Sequence, residues 1–156
     1  MTYIIKFMDA DHGYLDNLLK DFMNEKEDFV RAMECLKKFE KHLLLHMGLE
    51  EDYLFKHLDD YLGKIENSGL TSSAIKDHRV IIKLLEFTKK ALKAGVKENI
   101  IITVNNLNRI LAKHRDRELK LQYPVSEVFI KPNEWNKLLL DIYDQDILDK
   151  IKKRLE

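Results

Sequence analysis

Apolar residues recur at helical spacing along most of the chain, and polar clusters mark where each run ends. Leu15, Leu18, Leu19 and Phe22 form a first stripe with His12 at its head, and Asp9 or Asp11 is placed to cap the helix that carries them. A polar break from Asn24 to Asp28 precedes a long second helix, about Phe29 to Leu62. Its stripe passes through Met33, Leu36, Phe39, Leu43, His46, Leu49 or Glu50, Tyr53 and His57. The segment from Gly63 to Gly69 reads as the clearest loop, and Thr71-Ser72-Ser73 then supplies an N-cap for a third helix to about Ala94. Gly95 ends that helix as a C′ glycine does.

A fourth helix is expected from about Lys97 to Gln122, with Ile101, Val104, Leu107, Leu111, His114 and Glu118 facing inward and Pro124 stopping it. From Pro132 to Glu156 the pattern gives one or two further amphipathic helices, built on Trp135, Leu138, Leu139 and Ile142, then Ile147, Leu148, Ile151 and Leu155. Four helices with short connections predict an all-α fold, an up-down-up-down four-helix bundle over about 9–124. The residues from about 125 to 156 form a C-terminal helical tail over one side or end, within a single domain, 1–156.

Composition narrows the functional classes. With 5 Gly and 2 Pro the chain has little material for the many turns of a β fold. Lys+Arg and Asp+Glu are both 27, so no basic excess marks a nucleic-acid footprint. No apolar run approaches the ~20 residues of a transmembrane helix. The N-terminus lacks the basic region and small-residue cleavage site of a secretory signal. The single cysteine, Cys35, excludes an internal disulfide and fits a reducing compartment, so a cytoplasmic protein is expected.

The chemistry lies in a repeat. His46-Met47-Gly48-Leu49-Glu50 is echoed by His114-Arg115-Asp116-Arg117-Glu118, and Phe55 and Tyr123 each fall five residues after the Glu. Upstream, Asp11-His12 is matched by Asp77-His78, at intervals of 34 and 36 residues from the later His. Each unit therefore offers a His on one helix and His-x-x-x-Glu on the next, and residues four apart share a helix face. A lone His-x-x-x-Glu is an ordinary surface pair; the repeated set on inward faces is specific.

Four His and two Glu among the Leu and Ile of a bundle core need a partner, because an unpaired buried carboxylate costs several kcal/mol. A metal supplies one. The absence of thiolates disfavours structural zinc, and mixed imidazole and carboxylate donors suit iron or manganese. Six ligands exceed one tetrahedral ion, so a dinuclear site with two bridging carboxylates is the simplest count. The charge balance invites an oxo or hydroxo bridge and leaves room for a small ligand such as dioxygen or nitric oxide. Two non-haem iron ions are expected, with manganese and zinc left open.

His42 and His57 have no His counterpart in the second unit, where Ile110 and Val125 stand. They are expected to pack near the site without ligating. Glu51, matched by Leu119, reads as a solvated neighbour, and Asp11 and Asp77 read as residues favouring their helix dipoles. Tyr14, Tyr53 and Tyr123 read as core aromatics, and Cys35 as a buried thiol.

These residues, with Glu51, Leu54-Phe55, Tyr123-Pro124 and Glu134-Trp135 beside them, resemble the HHE cation-binding branch of the hemerythrin-like family over nearly the whole chain. The resemblance implies a di-iron centre with His12, His46, His78 and His114 as terminal ligands and Glu50 and Glu118 as bridges. Oxygen-carrying members use five His, with His-x-x-x-His in the third helix and His-x-x-x-x-Asp in the fourth; Ile82 and Leu119 stand at those positions here. The four-His, two-Glu set is similar to repair-of-iron-centres proteins, which usually carry a further N-terminal cysteine-containing domain.

The expected function is therefore binding or turnover of oxygen or nitric oxide in oxidative or nitrosative stress. Its expected partners are a protein electron donor or an iron–sulfur client. The alternative is a non-enzymatic sensor or iron-binding module acting through a partner. A metal-free interaction bundle is the third reading.

Overall fold

The computed structural model describes residues 3–63, 69 and 71–156, and every regular element among them is helical. Helix α1 (Tyr3–Asn24) pairs with α2 (Phe29–Leu49), which continues through a wide turn at Glu50–Leu54 into α3 (Phe55–Leu62). Helix α4 (Ser72–Ala94) pairs with α5 (Lys97–Arg117), which continues through a second wide turn at Glu118–Gln122 into α6 (Tyr123–Phe129). Two short helices, α7 (Pro132–Ile142) and α8 (Gln145–Lys153), complete the chain, and α8 packs on α1. The all-α bundle with added C-terminal helices is the fold expected from the pattern.

Several ends form as the sequence predicts. Asp28 caps α2, accepting from Arg31 N–H at 3.2 Å, and Gly95 closes α4 with φ of 69°, a left-handed conformation that a side chain disfavours. Other ends differ. Helix α1 begins at Tyr3, so neither Asp9 nor Asp11 caps it; Glu127 of α6 does, accepting from the backbone N–H groups of Ile4 and Ile5 at 2.8 and 3.0 Å. Thr71 sits at the N-cap position of α4, but its hydroxyl donates to Asp59 at 2.8 Å instead of capping. The expected loop at Gly63–Gly69 lies mostly outside the described residues.

The two wide turns are π turns, in which N–H bonds reach five residues back; Phe55 N–H meets Glu50 C=O, and Tyr123 N–H meets Glu118 C=O. They explain why Tyr53 and His57 leave the expected inner stripe. The buried positions are His46, Glu50, Leu54 and Leu58, in steps of four. Twelve residues of ideal α-helix at 100° each would carry that row about a third of a turn off the core, and the wider turn absorbs the drift. His114, Glu118, Gln122 and Ser126 repeat the spacing. The same turn lets the helix run past Pro124, which stands near the start of α6 and does not end it. On α5 it is Ile100, not Ile101, that is buried.

The core has two apolar parts. One gathers Leu19, Phe22, Phe39, Leu85 and Leu107; the other gathers Phe7, Leu54, Leu58, Trp135 and Leu148 from the chain's start, the wide turns and the tail. Along each long helix the His and Glu of the repeat fall between the two, so the bundle is an apolar–polar–apolar stack.

Trp135 seals the tail side, 1% exposed and edge-on to Phe7 with centroids 5.8 Å apart. Trp135→Ala is expected to lower the unfolding free energy by about 3–5 kcal/mol, measured by urea denaturation; a loss below about 1 kcal/mol would show that α7 does not help hold the bundle.

Candidate metal centre

The six repeat residues converge in the middle layer. Glu50 Oε1 lies 3.1 Å from His46 Nε2 and 3.5 Å from His78 Nε2; Glu118 Oε1 lies 3.2 Å from His114 Nε2 and 3.6 Å from His12 Nε2. Each carboxylate thus reaches the His one turn before it on its own helix and the leading His of the other unit. The four distances obey an approximate two-fold relation between the units. The rings of His12 and His46 lie side by side with centroids 4.9 Å apart, and His78 Nε2 meets His114 Nε2 at 3.0 Å. Two overlapping groups have the spacing to hold cations: Glu50, His78, His114 and Glu118, and His12, His46 and Glu118. Glu118 belongs to both.

A shell of acceptors orients the imidazoles. Asp11, fully buried, accepts from His46 Nδ1 at 2.7 Å, from His42 Nε2 at 2.5 Å and from the Tyr143 hydroxyl at 2.7 Å. Asp77 accepts from His114 Nδ1 at 3.2 Å and from Arg117. Each Asp therefore serves the second His of its unit across to the neighbouring helix, which replaces the dipole role expected of both. Glu51, expected to be merely solvated, accepts from His78 Nδ1 at 2.6 Å although its side chain is 41% exposed. The remaining ligand candidate, His12, has no partner at its buried Nδ1.

His42 packs behind the site, its Nε2 donating to Asp11. His57 is remote from the layer: its Nδ1 donates to the Tyr53 carbonyl at 2.9 Å and its Nε2 lies 3.4 Å from Glu134. Tyr53 is 39% exposed, and Tyr14 packs edge-on to His42. Tyr123 departs from its expected role as a plain core aromatic: it is fully buried, its hydroxyl donates to Glu50 Oε2 at 3.0 Å and it lies 3.2 Å from His12 Nε2. No motif marks the tail residue Tyr143, which is buried and donates to Asp11; only its place in the amphipathic stretch hints at burial.

Electrostatics follow from the pairing. Burial pulls His46 down, but Glu50 and Asp11 outweigh it and place its pKa at about 9. Burial also opposes His78, which Glu50 and Glu51 raise, and the same two imidazoles hold Glu50 well below the usual carboxylate range against its own burial. His12 is pushed far down by burial and then by the charges of His46 and Arg115, and His114 falls to about 4, chiefly by burial. Burial and the nearby carboxylates raise Tyr123 and Tyr143 well above the ordinary phenol. Positive charge is therefore drawn to Glu50.

The residues fit a metal. Glu50 Oε1 and both oxygens of Glu118 are buried with no hydrogen-bond donor, although buried carboxylate oxygens normally have one. Of the imidazoles they face, those of His46, His78 and His114 have their far sides already bonded, the arrangement that metal-binding His takes with its supporting acceptors. All six donors are nitrogen and oxygen, the mixture that borderline-hard divalent ions accept.

The family of the hemerythrin HHE cation binding domain matches residues 3–125, well over half of the chain. The chain belongs to that family. No curated protein and no solved structure gives a significant match.

Asp11→Asn keeps the size of the side chain but replaces the acceptor shared by His42, His46 and Tyr143. Metal affinity is expected to fall about 10–100-fold with helical content retained, read by competition with a chelator and by circular dichroism. Affinity within twofold of the parent would remove Asp11 from the support of the site.

Proposed function

We propose that this chain binds two iron ions through His12, His46, Glu50, His78, His114 and Glu118, and that the pair binds or reacts with oxygen or nitric oxide in oxidative or nitrosative stress. One observation carries the reading: each carboxylate lies between an imidazole of its own unit and one of the other, so two ions held by these six residues would satisfy all of the donors. The iron pair, when bound, supplies redox chemistry and open coordination positions for a diatomic molecule. The chain's own residues do the rest. Asp11, Glu51 and Asp77 hold imidazole Nδ1 atoms so that the Nε2 atoms point inward. Tyr123 keeps a hydroxyl proton directed at Glu50, and the two apolar clusters exclude bulk water from both ends of the layer.

A protein electron donor or an iron–sulfur client fits this role in the cytoplasm. No helix among the described residues is long and apolar enough to cross a membrane. A second reading, stoichiometric sensing, is favoured by the link from Asp11 to Tyr143, which ties the ligand layer to the junction of α7 and α8. In a sensor, loading and ligand binding would change the protease susceptibility of residues 132–153; equal cleavage rates with and without metal and ligand would leave the reactive reading alone.

The deciding experiment is anaerobic reconstitution with Fe(II), counting iron and recording the absorption spectrum before and after air. About two iron per chain and new near-ultraviolet charge-transfer bands are expected, both lost in a Glu50→Ala, Glu118→Ala double variant. Less than one metal per chain, unchanged in that variant, would overturn the proposal.

A further inference from the structure

Outside the ligand layer, a pocket of about 460 Å³ lies between α1, α2 and the junction of α7 and α8, a volume typical of small-molecule sites. Its aliphatic lining is Leu18, Leu45, Ile142 and Ile147, all of them half-buried, so the core leaves part of their apolar surface uncovered. Tyr14 and His42 stand edge-on to each other beside them, with centroids 4.7 Å apart, and Asp11 holds His42 from behind. This lining is particular to the first unit. Val80, Ile110 and Lys113 stand at the positions that match Tyr14, His42 and Leu45, so the packing of the repeat does not require the set.

The polar part of the pocket is cationic. Lys38 and Lys41 lie three residues apart on α2 and are neighbours on its surface. Both are exposed, and neither ammonium has an ion-pair or hydrogen-bond partner among the described residues. The Tyr14 hydroxyl has no hydrogen-bond partner among them either. Lysine stems are long and apolar, so they extend the aliphatic walls while their heads stay at the rim. Asp144 also lines the pocket, which leaves it a single net positive charge and suits a monoanion better than a dianion. A carboxylate held at such a rim remains hydrated and avoids the cost of burying a charge.

We infer that this pocket binds a small molecule with an aliphatic body and one carboxylate, a medium-chain fatty acid. The body lies among Leu18, Leu45, Ile142 and Ile147, and the carboxylate meets Lys38 and Lys41. The guest completes the burial of four apolar side chains and gives two free cations a partner. The site is separate from the ligand layer and independent of the iron-binding reading.

The test titrates the full chain calorimetrically with octanoate below its micelle concentration, with hexanoate, 1-octanol and octylamine as comparisons. Octanoate is expected to saturate a single site about tenfold more tightly than hexanoate, because it buries two more methylenes. It is expected to bind about 5–10-fold more tightly than 1-octanol, which has no charge for the lysines, and octylamine is expected to bind most weakly. A Lys38→Gln, Lys41→Gln double variant is expected to bring octanoate down to the level of 1-octanol while 1-octanol itself moves less than twofold. Ile147→Trp, which fills the pocket, is expected to abolish binding of both, and Leu18→Trp fills it from the α1 wall should the first variant fail to fold. Four results would each overturn the inference: no saturable octanoate binding, octylamine binding as tightly as octanoate, octanoate affinity unchanged in the double lysine variant, or binding that persists in a folded tryptophan variant. Both lysines are exposed, so their variant decides the matter even if neither tryptophan variant folds.

Discussion

Everything in this bundle is arranged around two carboxylates placed where a core should be apolar. Glu50 and Glu118 are fully buried between two hydrophobic clusters. An isolated charge there would neutralise or unfold its surroundings. Four imidazoles close the gap, and they must point their Nε2 atoms at the carboxylates, which requires acceptors for the opposite nitrogens. Asp11, Asp77 and Glu51 supply these for three of the four. Asp11 is itself buried and needs donors, which His42 and Tyr143 provide. The polar layer thus propagates outward until it reaches the tail, and that is the physical reason the last helices are bound to the bundle by more than hydrophobic contact.

The wide turns belong to the same constraint. A Glu four residues after a His faces the same way only for a step or two before ideal helical geometry rotates the row away. Placing a π turn immediately at each Glu keeps Leu54 and Leu58, or Gln122 and Ser126, under the bundle. Because both units need the same correction, both have it, five residues long and in register with the repeat. A π turn at a functional position is a recurrent device; here it also lets Pro124 sit inside a helical run.

The helices and the six convergent residues were legible in the sequence because both are periodic. Amphipathic stripes fix which face is inward, and the repeat of Asp-His and His-x-x-x-Glu singles out His12, His46, Glu50, His78, His114 and Glu118. What was not legible depends on partners across helices. Nothing local distinguishes an Asp that favours its helix dipole from one that supports a His on the neighbouring helix, so the sequence alone points Asp11 and Asp77 to the former. Leu119 matches Glu51 in the repeat, which hides its role, because the asymmetry reflects different backing for the two leading histidines. A 3.6-residue period places Tyr53 and His57 inward, but the π turn interrupts it. The four-residue row of His46, Glu50, Leu54 and Leu58 held the signal that would have found it.

Near-symmetry also shows where the two units have been given different work. Phe55 lies over His78 with centroids 5.9 Å apart, and Tyr123 lies at the same distance from His12. The rings are equivalent, but only Tyr123 has a hydroxyl, and it donates to Glu50. Glu50 is therefore held at one oxygen, while both Glu118 oxygens are without a donor. A carboxylate with a fixed oxygen keeps one binding mode; one with two unconstrained oxygens can change mode as the charge beside it changes. Glu118 is also the member common to both potential cation groups. The frame thus pairs a constrained carboxylate with an unconstrained one, and the unconstrained one lies beside His12, whose far nitrogen has no partner.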